Sequence, residues 1–422
     1  MKYEVSFEII SLNEITNKIV SDIKSNPNIF ACGIDLMNKL MSMELPLLNK
    51  NIAVKNILSF LRYIDNRLKH QNGTTLPIDS KILIEYFNRN EYKKYLALLK
   101  DLEVLVEVPY DGGIITNSGK KYSFYCMEKK ICKQYRIFNQ YLDQNSCLIL
   151  FNKSKTKIKY NIQGDYNKKF VTTIKKIDID IKAAIEDEIK NSDNRKNNSL
   201  RCRLNRIFSL YDKRFIRKGK KVDRVYTSLS NLSKISRRHL NMKGVRFHNV
   251  DIKNCQPLLL CYLLIKNNMP IDLHYLNDCE SGVLYENFYE RSNDKAVDKQ
   301  KRSDAKVLLY KGIYFDFKRT PTNLKFKELF PLTYSSLEIL SKDQEELAGR
   351  LQNIEAQIFN DLVPIKSKYY YTLFDAIYFT DIDDTANLFI ELKKRFAQYG
   401  IIPSIDINSD YPEMDLKELI HE

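Results

Sequence analysis

Apolar residues recur at three- and four-residue spacing through Asn51–Leu68, the period of a helix that buries one face. On that pattern the first 75 residues read as mostly helical. Ile78–Phe87 and Glu91–Leu102 predict two short helices joined by a tight turn. Val104–Pro109 and Lys121–Met127 then alternate as strands on either side of Asp111-Gly112-Gly113, a glycine turn. Two helices followed by a hairpin is the pattern of a winged helix, a module that binds DNA or serves as a protein contact. Residues 130–180 are mixed, with a lysine-rich, strand-like piece at Lys153–Tyr160. A helix is predicted over Ile174–Lys190, followed by the polar spacer Asn191–Ser199.

Farther on, two hydrophobic segments each stop at a carboxylate. In Val250-Asp251-Ile252-Lys253-Asn254-Cys255-Gln256-Pro257 a strand ends at Asp251 and turns into an apolar helix that begins near Pro257. That turn exposes the Asp251 carboxylate at a sheet edge, together with the carbonyl of Ile252. In Tyr369-Tyr370-Tyr371-Thr372-Leu373-Phe374-Asp375-Ala376-Ile377-Tyr378-Phe379 a lone aspartate interrupts two short apolar strands. It is expensive there unless it pairs or binds metal, so it is expected at the tip of a hairpin facing Asp251. An ordinary turn or N-cap aspartate is the competing reading at both places.

Between them, a helix predicted over Lys301–Phe315 carries Arg302, Lys306, Tyr310 and Tyr314 at i, i+4, i+8 and i+12, along one stripe. Such cations can hold the phosphates of a nucleoside triphosphate, and such tyrosines can stack on its base. The alternative is that the tyrosines are core and the cations are surface. Hard oxygen ligands on two sequence-distant strands, with positive charge between them, are what magnesium-dependent nucleotidyl transfer requires.

Composition adds a partner class. The 422 residues hold 68 Lys+Arg against 53 Asp+Glu, a formal net charge of +15, which favours a polyanion such as nucleic acid. A lysine-rich surface drawn from an AT-rich genome would give the same balance. The charge is concentrated in Arg201–Lys221, where Arg201, Arg203, Arg206, Lys213, Arg214, Arg217, Lys218, Lys220 and Lys221 are opposed only by Asp212. Such a run reads as a duplex-backbone clamp acting by counterion release, or as a solvated helix face. The eight Cys form no CxxC pair and no zinc spacing, so reduced thiols are expected. Neither a signal peptide nor an apolar run near membrane length is evident, and a cytoplasmic protein with no membrane partner is expected.

These motifs together resemble motifs A, B and C of family A DNA polymerases, the DNA polymerase I group. Arg302-Ser-Asp-Ala-Lys306-Val-Leu-Leu-Tyr310-Lys-Gly-Ile-Tyr314 is similar to that family's fingers helix. Asp223-Arg224-Val225-Tyr226-Thr227-Ser228 and Asn231-Leu232-Ser233-Lys234-Ile235 resemble its Gly-Arg-Leu-Ser-Ser and Asn-Leu-Gln-Asn-Ile segments. Asn353-Ile-Glu-Ala-Gln357 resembles its Asn-x-x-x-Gln helix. Asp384–Tyr399 and Ile401–Ile407 fit the helix and closing strand of its palm. The likeness covers roughly residues 200–422.

The resemblance implies an α+β fold: a right-hand polymerase palm built on an antiparallel sheet, with helical fingers and thumb-like helices. A mostly helical N-terminal region with the winged helix would precede it. The implied division is 1–130 N-terminal, 131–220 connector with thumb-like basic helices, and 221–422 palm and fingers. The implied activity is template-directed nucleotidyl transfer without a proofreading exonuclease. Asp251, Asp375 and the Ile252 carbonyl would hold two Mg²⁺, with Mn²⁺ as a substitute. Arg302, Lys306, Tyr310, Tyr314 and Gln256 would bind the incoming nucleotide, and Lys306 would also act as proton donor to pyrophosphate. Arg224, Asn231, Arg201, Arg203, Arg214, Arg217, Lys218, Asn353 and Gln357 would hold the primer–template.

The chain departs from the family in three respects. Phe374-Asp375-Ala376 stands where the family has His-Asp-Glu, and Gln256 stands where it has the Glu that excludes a ribose 2′-OH. The interval from Lys306 to Asp375 is also shorter, implying trimmed fingers. Gln256 keeps open a single-subunit RNA polymerase or primase using rNTPs rather than dNTPs. Phe374 and Ala376 keep open a non-catalytic DNA-binding replication initiator or repressor.

Overall fold

The computed structural model describes residues 7–12, 20–21, 23–24, 29–42, 50–68, 75–102, 104–108, 134–137, 146–151, 158–191, 200–315, 321–341 and 347–408. The chain is a mixed α/β protein with small antiparallel sheets. It divides into two compact units, each assembled from separated stretches. One comprises Met1–Asn161, Ile179–Arg214 and Ser228–Leu240; the other comprises Ile162–Asp178, Phe215–Thr227 and Asn241–Glu422. Residues 131–220 therefore contribute to both.

The first unit is mostly helical over its described residues up to 75, but it also holds strands there. Phe7–Ser11 and Ile29–Gly33 are strands flanking a central strand, Ser146–Phe151, with Ile10 opposite Leu148 and Cys32 opposite Cys147. Short apolar runs such as Ile29–Gly33 have no periodicity that separates strand from helix, and their partner is remote in sequence. The Asn205 side chain, on the helix Leu200–Ser209, completes the free edge of Ile29–Gly33. Its Oδ1 accepts from the Ala31 N–H at 2.8 Å and its Nδ2 donates to the Ala31 carbonyl at 3.1 Å. The helices Ile34–Ser42 and Lys50–Leu68 bury Leu36, Met37, Leu40, Val54, Ile57 and Phe60 at helical spacing.

The expected helix pair is present as Ser80–Phe87 and Tyr92–Asp101. Asp79 caps the first by accepting from the Lys81 N–H at 2.9 Å. Leu105–Val108 pairs with Gln134–Ile137, which also pairs with Thr75–Pro77. The Asp111-Gly112-Gly113 turn and the expected strand Lys121–Met127 lie outside the described residues. The single helix expected over Ile174–Lys190 is instead two, Lys168–Lys176 and Ile181–Lys190. Asp180 caps the second, accepting from the Ala183 N–H at 3.2 Å.

The second unit is organised by a four-stranded antiparallel sheet in the order Tyr370–Leu373, Ala376–Phe379, His248–Ile252, Ile405–Asn408. Asp384–Ala397 turns Leu388, Leu392 and Phe396 inward at i, i+4 and i+8. The Asp384 carboxylate, itself fully buried, accepts the backbone N–H groups of Ile365, Lys366 and Ser367 and so fixes the loop before the hairpin. Cys255–Lys266 is apolar on nearly every side and buries Leu258, Leu259, Leu260 and Leu264 completely. Each such leucine contributes roughly 2 kcal/mol. Among the described residues no helix is long and apolar enough to cross a membrane.

Candidate active site

Asp251, on the strand His248–Ile252, and Asp375, in the turn that leads into the adjacent strand Ala376–Phe379, are far apart in sequence but come to neighbouring positions. In the register Asp251 lies opposite Ala376, and the Ile252 N–H donates to the Asp375 carbonyl at 3.2 Å. Asp251 is a strand residue rather than an N-cap: the helix begins at Cys255 after Asn254, which holds a left-handed φ of 52°. Asparagine is one of the few side chains that tolerates that conformation. Asp375 sits at the tip of the two-residue turn between Leu373 and Ala376, as expected. Its turn partner Phe374 is also left-handed, at φ 58°, although it is neither Gly nor Asn. Ile252, expected to lend its carbonyl, pairs with Ile405 on the other side of the strand.

Two further acids belong to this neighbourhood and were not expected from the sequence. On the Ile405–Asn408 strand Asp406 lies directly opposite Asp251, so the two share a sheet face. Lys253 neutralises Asp406 at 2.8 Å. Glu355, on the helix Leu347–Phe359, is fully buried. It accepts from Arg224 Nε at 2.7 Å, from a second nitrogen of the same guanidinium, and from Gln256 Nε2 at 2.6 Å. A signal for Glu355 existed: it occupies the apolar phase Leu347, Leu351, Glu355, where an acid is stable only with partners.

Burial pushes the Glu355 carboxyl up to about 7, Asp375 adds to the rise, and Arg224 and Gln256 oppose it. Because the folded value is raised, folding takes up a proton between the ordinary carboxylate value and about 7. The contribution to stability is fully present below that interval and lost as pH rises through it. A Glu355→Gln variant should therefore show a flatter dependence of melting temperature on pH between about 4.5 and 7 than the wild type. Burial, then the charges of Glu355 and Asp375, and more weakly Asp251, also drive the Cys255 thiol upward, with Arg224 opposing. The three carboxylates thus lie within electrostatic reach of one buried thiol.

The expected cationic helix is Lys295–Leu309, which continues as a π-helical segment over Tyr310–Phe315. Such segments are rare and recur at functional sites. Arg302 pairs with Glu286 at 2.9 Å and stands 5.0 Å over the Tyr285 ring. The exposed Lys306 ammonium lies 5.6 Å from the Tyr310 ring centre and 6.0 Å from that of Tyr285. Burial raises the Tyr310 hydroxyl well above its usual value, with Tyr285 and Asp375 adding to the rise, so Tyr310 is in electrostatic range of Asp375. Tyr314 differs from expectation. It is buried and its hydroxyl meets that of Tyr275 at 2.9 Å, a core position produced by the inward phase of the helix.

The basic run is not one exposed face. Arg201, Arg203, Arg206 and Arg214 are buried in the first unit, Arg203 against Glu188 and Arg214 on the Leu210 carbonyl. This corrects the reading of Arg201, Arg203 and Arg214 as a backbone clamp: the helix Leu200–Ser209, which carries the first two, is packed on all sides, and Arg214 is buried on the strand Lys213–Lys218. Arg217 and Lys218 remain exposed, on the strand Lys213–Lys218 of which only the latter part belongs to the second unit. Asn231, half-buried, closes the short turn Ser228–Asn231 of the first unit. In the second unit Asn353 Oδ1 accepts from the Asp223 N–H at 2.8 Å, and the exposed Gln357 lines a pocket of about 520 Å³ with Asp165, Lys218, Asp361 and Tyr370.

Among the described residues no group of three or more His, Cys, Asp or Glu side chains is arranged to hold a metal ion. The offered set is two carboxylates, Asp251 and Asp375. Magnesium accepts that set, being held in phosphate-transfer sites by one or two carboxylates plus substrate phosphates. No protein-family model matches the chain, and no curated protein or solved structure matches it either.

Proposed function

We propose that this chain is a template-directed nucleotidyltransferase of the DNA polymerase kind, with the four-stranded sheet as its palm and Lys295–Phe315 as its fingers helix. The observation that carries the reading is the adjacency of Asp251, on its strand, and Asp375, in the turn that opens the neighbouring antiparallel strand. Tyr310 lies within electrostatic reach of Asp375, and Lys306 beside it. In the first unit the helix pair with its three-stranded sheet supports a winged-helix module.

Asp251 and Asp375 would hold Mg²⁺, which when bound supplies Lewis-acid polarisation of phosphoryl oxygen and lowers the pKa of an attacking hydroxyl. The chain's own contribution is position and charge. Asp251 sits on a strand of the sheet and Asp375 in the tight two-residue turn that joins two of its strands, a short connection that limits movement of one carboxylate against the other. Lys306, exposed beside Tyr310, offers a mobile ammonium for the β- and γ-phosphates and a proton for departing pyrophosphate. Arg302 is less free, because Glu286 already takes part of its fork. Exposed Arg217, Lys218 and Gln357 are the remaining candidates for duplex contact. Lys306→Ala should raise the nucleotide KM and lower incorporation by about 10²–10³-fold, whereas Lys306→Arg should retain more activity; nucleotide titration under steady-state conditions checks both.

The deciding experiment is extension of a labelled primer–template with Mg²⁺, with dNTPs and rNTPs supplied separately. Extension with dNTPs supports a DNA polymerase. Extension with rNTPs alone moves the reading to an RNA polymerase or primase on the same sheet, the alternative kept open by Gln256 standing where the DNA-synthesising family has glutamate. No extension with either, on DNA and RNA templates alike, removes the enzymatic reading.

A further inference from the structure

The turn that presents Asp375 contains a conformation its own residue does not favour. Phe374 holds a φ of 58°, a region that bulky L-residues rarely adopt. Such a conformation persists only where the surroundings over-determine it, and it tends to occur where geometry matters. The surroundings here can be named. The Arg224 guanidinium lies over the Phe374 ring, 4.9 Å from its centre, and the Tyr226 ring meets it edge-on at 5.8 Å. Arg224 cannot swing away, because Glu355 grips two of its nitrogens, and Gln256 Nε2 in turn holds Glu355.

We infer that Glu355 and Arg224 form a buried strut that holds the Phe374–Asp375 turn and thereby sets the position of Asp375. Glu355 and Arg224 are positioning residues in this account: neither need touch substrate, and Arg224 is spent on the turn rather than on a nucleic-acid groove. The strut ties the helix Leu347–Phe359 and the start of the helix Cys255–Lys266 to the tip of the hairpin, so three elements fix one carboxylate. A cation over a ring is attracted to its face, and a bidentate guanidinium–carboxylate pair has one well-defined geometry. Lysine at 224 would retain the charge and lose the fork. For its effect on catalysis the inference rests on the nucleotidyltransferase reading, whereas the mechanical coupling stands without it.

The test is a two-by-two set: wild type, Glu355→Gln, Phe374→Gly, and the double variant. Glutamine at 355 offers one acceptor and places an NH₂ against the donors of Arg224 and Gln256, which breaks the strut with little change in volume. Glycine adopts φ > 0 without strain, so the turn no longer needs holding. The expected result is a fall in kcat on the order of 100-fold in Glu355→Gln, the scale of a small misplacement of a catalytic group, with the nucleotide KM nearly unchanged. The double variant should recover most of that loss. In parallel, the drop in melting temperature caused by Glu355→Gln should be smaller in the Phe374→Gly background. A kcat in Glu355→Gln equal to wild type, or a double variant no better than Glu355→Gln, overturns the role at the site. Equal drops in melting temperature in the two backgrounds overturn the strut itself. If no variant, wild type included, incorporates nucleotide, the proposed function fails while the melting cycle still decides the strut.

Discussion

Asp251→Ala and Asp375→Ala are each expected to reduce nucleotide incorporation by on the order of 10³-fold or more, the scale seen when a principal charge-stabilising group is removed from an active site. Binding of primer–template should be nearly unchanged, because the contacts assigned to the duplex lie elsewhere. Neither substitution should unfold the protein. Both side chains are only partly buried, and removing Asp251 also relieves the like-charge pairing with Asp406 across the strands. Primer extension beside a filter-binding or anisotropy measurement separates the two effects. Full activity in either variant would falsify the assignment of the pair. Loss of duplex binding in parallel with activity would point to a role in holding nucleic acid instead.

The second large effect concerns the fold of the first unit. Arg203→Met is expected to destabilise that unit by about 3–5 kcal/mol, the range for breaking a buried ion pair from one side. Glu188 is wholly buried and accepts from Arg203, from the Ser233 hydroxyl and, at 2.6 Å, from the Ser236 hydroxyl. Without the guanidinium its charge loses this cation inside the core. Replacing both partners, as Arg203→Met with Glu188→Leu, should recover much of the loss, because an apolar pair of similar volume avoids the desolvation of two charges. Chemical denaturation of the four proteins measures this. Equal losses in the single and double variants would show that Arg203 acts through its other contacts rather than through Glu188. A duplex-binding defect in Arg203→Met without loss of stability would restore the arginine to the nucleic-acid surface.

Local pattern carries a good deal of this architecture. The periodicity of Asn51–Leu68 identifies a helix, the resemblance to a polymerase palm implies another at Asp384–Tyr399, and the strand–Asp–turn–helix order at 250–257 places Asp251 on a strand end. The two aspartates stand out because an acid that interrupts an apolar strand is conspicuous in the sequence itself. Where pattern misleads, the cause is a partner remote along the chain. Ile29–Gly33 is a strand because Ser146–Phe151 pairs with it, and no window around residue 30 contains that information. A run of cations is normally solvated, which makes Arg201, Arg203 and Arg214 look like a clamp; yet the helix carrying the first two is buried, and one of them meets Glu188. Tyr314 shares a stripe with Lys306 and so looks aimed at a base, but the π-helical turn and Tyr275 take it into the core.

Most helices, the two carboxylates that end apolar strands, and the cations between them follow from linear order, because periodicity and charge are local properties. Folding, and not chain order, makes Asp251 and Asp375 neighbours and sets Asp406 opposite one of them across the sheet. Folding likewise locks Glu355, Gln256 and Arg224 together beneath the Phe374 turn. Cross-strand register and buried pairing depend on contacts between residues scores of positions apart. Their energies exist only once the chain has closed those distances and excluded water from between the partners.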